Sequence, residues 1–448
     1  MQTDILIIGS GPAGSSVAYQ CAKAGQKVTV VDSLFGGTCA LRGCTPKKVM
    51  EVITSSYWEA KKMEKVGFPK LREPINWHQL IAHQSKFTSL VPSKTKEKFN
   101  KKGIQTVIGK AKFIDAHTIK VGKKKIKANY IVVASGAHPR PLDFPGSEHL
   151  VTNDGFFALD NLPKKIVIVG GGYIGFELSH IMAACGAKVT ILSNDEMPLQ
   201  VFDSELVSDL IQATLAKGIE VKLGYEASKI EKQKDKSFKI TSKRKDNKAF
   251  TYEADLVLHA AGRVPNVEKL GAKKIGLKLN DKDGIATNKF LQTKKHAHIF
   301  ALGDVTGKLP FTEVASYEAN IVAHNILNKR RKSVNYDGVP YGVFTHPKLT
   351  MVGKTESELT KKGIKYKAKS ESHDSSFMQR THLNTFSRYK TLVHKKSGKI
   401  LGASIIGSYA DEMINLFSMA IQQEVTDKQL KDLLLLYPTA GQEVKFLV

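Results

Sequence analysis

The chain is poor in cysteine, in tryptophan and in acidic residues, and it has no long apolar run. Four cysteines in 448 residues cannot form the dense disulfide framework of a small secreted domain. No apolar run reaches the roughly 18 residues that a membrane helix needs. The opening Met1-Gln2-Thr3-Asp4 has neither the basic start nor the apolar core of a secretory leader and passes straight into a strand pattern. The expectation is a cytoplasmic chain. Acidic residues number 42 against 68 Lys and Arg, a formal charge of +26. Such an excess suits nucleic acid, anionic lipid or anionic small molecules. The lysines, however, are scattered in short runs such as Lys47-Lys48, Lys101-Lys102 and Lys123-Lys124-Lys125. They come with no helix-turn-helix, zinc-finger or aromatic RNA-binding pattern. They read as a solvated surface, with neither nucleic acid nor membrane as partner.

What is present is a repeated α/β unit. The length implies two to four domains. Ile5–Ile8 is an apolar run of the kind buried in a parallel sheet. Gly9-Ser10-Gly11-Pro12-Ala13-Gly14 follows, then a helical pattern from about Ser15 to Ala24, then Gly25 and the strand Lys27–Val31 closed by Asp32. This is a βαβ dinucleotide-binding unit. Gly9 makes the turn, Gly11 lets the backbone approach the pyrophosphate, and Gly14 lets helix and strand pack. The helix N-terminus faces the phosphates, and Asp32 is placed for a ribose hydroxyl. The pattern recurs as Ile166–Val169, then Gly170-Gly171-Gly172-Tyr173-Ile174-Gly175, a helix to about Ala184, and the strand Val189–Leu192. Two units imply two dinucleotides, and a flavin with a nicotinamide is the common pairing.

Two further segments share a form. Tyr130–Gly136, ending Ser135-Gly136, precedes a proline-rich stretch, and Leu256–Asn266 contains Gly262-Arg263. Each reads as the last strand of a nucleotide domain. Ile299–Asp304 delivers a Gly303-Asp304 pair, where an Asp could hold a ribitol hydroxyl. From about Lys332 the pattern changes to an antiparallel sheet with helices near Ser357–Lys362 and Asp411–Gln423. Cys21 and Cys185 lie alone in apolar helical patterns and read as core.

The segment Gly36-Gly37-Thr38-Cys39-Ala40-Leu41-Arg42-Gly43-Cys44-Thr45-Pro46-Lys47-Lys48 resembles the redox motif of the class I pyridine-nucleotide-disulfide oxidoreductases, a family that includes glutathione reductase, dihydrolipoamide dehydrogenase and mercuric reductase. The resemblance extends over nearly the whole chain, through both glycine-rich units, Gly303-Asp304, and Phe344-Thr345-His346-Pro347. It implies two Rossmann-like domains, for FAD and NAD(P)H, followed by a C-terminal α+β dimerisation domain. The expected boundaries are 1–147 with 275–331 for FAD, 148–274 for the nicotinamide, and 332–448 for the dimer interface. The active unit would be a homodimer. FAD contacts are expected from Gly9, Gly11, Gly14, Asp32, Gly37, Thr38, Ser135, Gly136, Gly303 and Asp304. Nicotinamide contacts are expected from Gly170, Gly172, Tyr173, Gly175, Ser193 and Asn194, and further cofactor contacts from Gly262 and Arg263, with NADPH favoured over NADH and no metal. By the family pattern Cys44 faces the flavin, Cys39 attacks the substrate, Lys47 and Glu177 pair beside the flavin, and Tyr173 gates the nicotinamide pocket. Two cysteines five apart on a regular helix are too distant for a bridge, so the turn must be distorted, and Gly43 permits it.

One departure stands out. Where the family carries His-Pro-Thr-x-x-Glu, this chain has Tyr437-Pro438-Thr439-Ala440-Gly441-Gln442. A tyrosine, with an ordinary pKa near about 10, is a poor base at neutral pH. Glu443 lies one place late. The first reading is an NAD(P)H-dependent reductase of a small disulfide, glutathione-reductase-like. The second is the same fold reducing a metal ion, quinone or other oxidised small molecule. A third, a nucleic-acid or membrane-surface protein with a vestigial flavin site, rests on charge alone.

Overall fold

The computed structural model describes residues 1–448. Two compact units emerge. The first comprises Met1–Lys48, Ala82–Pro141 and Gly262–Asn335; the second comprises Val49–Ile81, Leu142–Ala261 and Tyr336–Val448.

In the first unit a seven-stranded sheet runs in the order Gln105–Ile108, Val28–Asp32, Gln2–Ile8, Lys124–Val133, Thr118–Val121, Ala111–Phe113, and Ile299–Ala301 also pairs with Lys124–Val133. The strands Gln2–Ile8, Val28–Asp32 and Gln105–Ile108 are parallel, whereas Ala111–Phe113 and Thr118–Val121 form an antiparallel excursion on the first half of Lys124–Val133. The central strands are buried on both faces, which explains their unbroken apolar runs. The first helix spans Pro12–Lys23, three residues earlier than the sequence pattern suggests. Pro12 is the cause: its fixed φ and missing N–H suit the first helical position, so the apparent turn Pro12-Ala13-Gly14 is already helix.

In the second unit a parallel sheet runs in the order Glu220–Leu223, Lys188–Ser193, Lys165–Val169, Leu256–His259, and a three-stranded antiparallel sheet, Glu226–Lys232, Phe238–Lys243, Ala249–Ala254, accompanies it. A five-stranded antiparallel sheet follows, in the order Pro340–Val343, Lys348–Gly353, Ile400–Gly407, Arg388–His394, Tyr366–Ser372. The helix Ala410–Gln422 buries Met413, Ile414 and Phe417 in a core with Val352, Ile400 and Ile405. Cys21 is fully buried, and Cys185 is the half-buried C-cap of the helix Tyr173–Ala184. No helix is long and apolar enough to cross a membrane.

Candidate active site

The cysteine pair sits where a helix breaks and restarts. Cys39 is the third residue of the helix Gly37–Arg42, Gly43 leaves helical geometry at φ −135° and ψ −109°, and Cys44 is the first residue of the helix Cys44–Met63. The carbonyl of Gly43 accepts from Lys47 N–H at 3.2 Å, which starts the second helix. A Cβ at Gly43 would meet the Thr38 carbonyl oxygen at 3.0 Å. The residue is therefore glycine because the break folds back onto the first helix, and this distortion brings the two sulfurs within hydrogen-bonding reach.

No disulfide joins the two cysteines in the structure. Thr312, the first residue of the helix Thr312–Leu327, donates its hydroxyl to Cys39 Sγ at 3.1 Å and lies 3.3 Å from Cys44 Sγ. The two sulfurs are electrostatically unequal. Cys44 is drawn down to about 6, foremost by the hydrogen bond from Cys39; burial opposes this, while Thr312 and the charge of Lys47 add to it. Its place at a helix N-terminus works in the same sense. Cys39 is held well above the ordinary thiol range, first as the donor to Cys44 and then by burial. The two shifts run in opposite directions, which favours the proton on Cys39 and the negative charge on Cys44.

The two glycine-rich turns have the shape that a dinucleotide requires. A Cβ on Gly14 would lie 2.0 Å from Gly9 O, and one on Gly175 would lie 2.4 Å from Gly170 O, so each third glycine lets helix and strand touch. Gly11 and Gly172 are the N-caps of their helices; neither helix has a side-chain cap or an acid in its first turn. Both ends therefore point free amides outward, which is an anion-binding arrangement. The chemistry fits a pyrophosphate at each. Gly37 approaches Gly11 so closely that a Cβ would meet Gly11 Cα at 2.4 Å, which places Thr38 beside the first turn.

Asp32 is only partly committed. Its Oδ2 accepts from Ser10 N and Oγ, both at 2.7 Å, and its Oδ1 from Leu34 N at 3.2 Å. Asp304 accepts from Arg263 Nη1 at 2.9 Å, and Gly303 N donates to the buried Glu318 at 2.6 Å. Arg263 therefore belongs to the Asp304 side of the first unit, and its Nη2 also donates to Ala137 O. Ser135 and Asn266 bond reciprocally, which fixes the turn at Ser135-Gly136 against the one after Gly262.

On the second unit, Tyr173 opens its helix and is exposed, while Glu177 is buried and accepts from Phe344 N at 2.8 Å. Ser193 ends its strand with a buried hydroxyl that has no hydrogen-bond partner and that packs over Gly171; Asn194 beside it is exposed. Tyr437 is 70 % exposed, with Phe377 as its ring neighbour at 6.4 Å. Glu443 does not stand in for the missing acid of the motif. Its carboxylate is buried and accepts from His373 Nε2 at 2.9 Å, from Ser376 Oγ at 3.1 Å and from Met378 N at 3.0 Å. Thr312, Ser10, Glu318 and Asn266 are additions that sequence reasoning missed. Ser10 lies inside the first glycine motif and was within reach; Thr312, 268 positions from Cys44, carried no local signal.

Residues 3–319 match the model of the pyridine nucleotide-disulphide oxidoreductase family and residues 339–447 match that of its dimerisation domain. The chain is 30 % identical to a glutathione reductase of Nostoc sp., covering 98 % of each chain. It is 29 % identical to a dihydrolipoyl dehydrogenase of Bacillus subtilis, with 99 % of this chain and 95 % of that one covered. It is 30 % identical to a mercuric reductase of Staphylococcus aureus, with 99 % of this chain and 81 % of that one covered. Among solved structures it resembles the HOCl-induced flavoprotein disulfide reductase RclA from Escherichia coli, at a TM-score of 0.88 and 25 % identity over 99 % of both chains. The chain belongs to the pyridine nucleotide-disulphide oxidoreductase family and is an oxidoreductase.

Proposed function

We propose that the chain is a homodimeric flavoprotein that uses NAD(P)H, with NADPH preferred, to reduce a small disulfide through Cys39 and Cys44. In this reading segments 1–147 and 275–331 hold FAD, 148–274 hold the nicotinamide nucleotide, and 332–448 form the dimer contact. FAD, when bound, supplies the two-electron link between nicotinamide and the cysteine pair. The observation that carries the reading is the cysteine pair at the helix break: two sulfurs within hydrogen-bonding reach of each other, both beside the Thr312 hydroxyl.

Disulfide exchange then needs one transfer of the shared proton between the two sulfurs. Cys39 first passes its proton to the Cys44 thiolate; Cys39, now a thiolate, attacks one sulfur of the substrate disulfide, the substrate S–S bond breaks, and Cys44 returns the proton to the first departing sulfur, which leaves as a thiol. A mixed disulfide now joins Cys39 to the other half. Cys44, a thiolate again, attacks Cys39 sulfur, closes the Cys39–Cys44 bond and releases the second half as a thiolate. Thr312 steadies negative charge on either sulfur. The charge of Lys47 adds to the pull of Cys39 and Thr312 on the Cys44 pKa.

The second reading, reduction of a metal ion, a quinone or another oxidised small molecule, is favoured by Tyr437. An acceptor with no departing thiol needs no histidine to protonate one, and the Glu443 carboxylate is engaged by His373 rather than by residue 437. A Cu(II) complex of RclA is among the similar structures. The deciding experiment records the flavin spectrum of the purified protein and then measures NADPH and NADH oxidation against a panel of disulfides, metal ions and quinones. Turnover of a disulfide with NADPH supports the first reading. Turnover confined to metal ions or quinones supports the second. A colourless protein that takes up no flavin removes both.

A further inference from the structure

The scattered lysines of the sequence are gathered by strand register. Residues 86–127 hold thirteen lysines against two acids, Glu97 and Asp115, with no arginine, tyrosine or tryptophan. In the antiparallel excursion of the first unit, Lys112 lies opposite Lys120, and Lys120 lies opposite Lys125. The inward residues Phe113, Ile119, Val121, Ile126 and Ala128 are buried, so alternation turns these lysines, and Lys127, to the other face. Three like charges in a cross-strand row repel one another, and none of the three has an ion-pair partner. The same face carries Ile114, two residues beyond Lys112 and 45 % exposed. Where the turn into Lys124–Val133 meets Gln105–Ile108, a cavity of about 450 Å³ is lined by Lys96, Lys123 and Lys124 together with Ile108, which is 62 % exposed.

We propose that this lysine face is a docking surface for an anionic phospholipid bilayer. The charge is uncompensated and one-signed, and neighbouring lysines near a membrane surface act jointly on its negative potential. The row also presents the exposed Ile114, which a bilayer interface can take up and a solvated polyanion cannot. Nucleic acid is the less suited polyanion: the face lacks the arginine forks that read base edges and the aromatic rings on which bases stack. The inference replaces the expectation of no membrane partner and does not depend on the electron acceptor.

The test is co-sedimentation of the purified holoprotein with vesicles of phosphatidylcholine alone, or with about a third phosphatidylglycerol. Binding is expected only to the anionic vesicles and is expected to weaken with salt. The triple variant Lys112→Gln, Lys120→Gln, Lys125→Gln should bind roughly a hundredfold more weakly, with a melting temperature no lower than the parent's. The corresponding arginine variant should bind as the parent does. A control that removes the same charge elsewhere, Lys232→Gln, Lys234→Gln, Lys243→Gln, should also bind as the parent. Equal binding to neutral vesicles, equal loss in the control, or retention on duplex DNA without vesicle binding would each overturn the proposal.

Discussion

Cys39 and Cys44 are chemically alike and electrostatically opposed, and the difference is testable one residue at a time. The thiolate of Cys44 depends most on the hydrogen bond from Cys39. Cys39→Ala should therefore raise the Cys44 pKa from about 6 toward the ordinary thiol range. In the NADPH-reduced parent, alkylation of Cys44 should be flat with pH above neutrality and fall as pH drops through about 6; in the variant the same fall should occur at higher pH. Thr312→Val should shift the curve in the same direction by less. A parent curve that still rises steeply between pH 8 and pH 9, where a free thiol titrates, would contradict the asymmetry. At residue 437 the reasoning is about proton supply. Replacing Tyr437 with His and Gln442 with Glu restores the family pair, and disulfide turnover near neutral pH should rise by about a hundredfold, the lower range of general acid–base effects. No change would mean that another group delivers the proton.

At the scale of elements, the two glycine-rich turns and the C-terminal tie make separate demands. A Cβ at Gly14 would sit 2.0 Å from the Gly9 carbonyl oxygen. Gly14→Ala must push the helix Pro12–Lys23 off its strand, at a cost of about 1–3 kcal/mol, and the purified protein should carry less flavin per chain by absorbance at the visible flavin band. Gly25→Ala is the control: it has open space and only a positive φ of 80° to bear, so it should keep its flavin. The short helix Ala440–Glu443 is tied inward by Glu443, whose carboxyl lies below the ordinary glutamate range: burial opposes this, and bonds from His373 and Met378 N outweigh it. Its stabilisation is thus present above the ordinary glutamate pKa and is lost as pH falls through the lowered one. Glu443→Ala leaves His373 and the Met378 amide without their partner, and thermal unfolding should report a loss of about 3 kcal/mol.

At the scale of the whole molecule, what was legible in the sequence was what is local. Each glycine turn carries its strand, helix and next strand within about thirty residues, so the order of elements could be read directly, as could the break that Gly43 must permit. The C-terminal antiparallel sheet was legible from alternation. What was not legible depends on long-range register. Thr312 reaches the cysteines only because its helix starts beside them. Arg263 could be read only as a cofactor contact; its bond to Asp304 exists because Arg263–Pro265 pairs with Ala137–Pro139. The lysine row exists only in the pairing of Ala111–Phe113, Thr118–Val121 and Lys124–Val133; in sequence Lys112, Lys120 and Lys125 are simply three lysines. Glu443 illustrates the same limit, since one place of offset from the family motif joins it to His373 instead of to residue 437.

The central claim is that electrons from a nicotinamide nucleotide reach Cys39 and Cys44. The most direct measurement is differential alkylation read by mass spectrometry, with the purified protein held without oxygen before and after NADPH. The account predicts that the Cys39–Cys44 peptide is bridged at the outset and carries two alkyl groups only after NADPH, while Cys21 and Cys185 stay unchanged by the nucleotide. A pair that stays bridged with excess NADPH in a flavin-loaded protein, or that alkylates equally without it, would contradict the account.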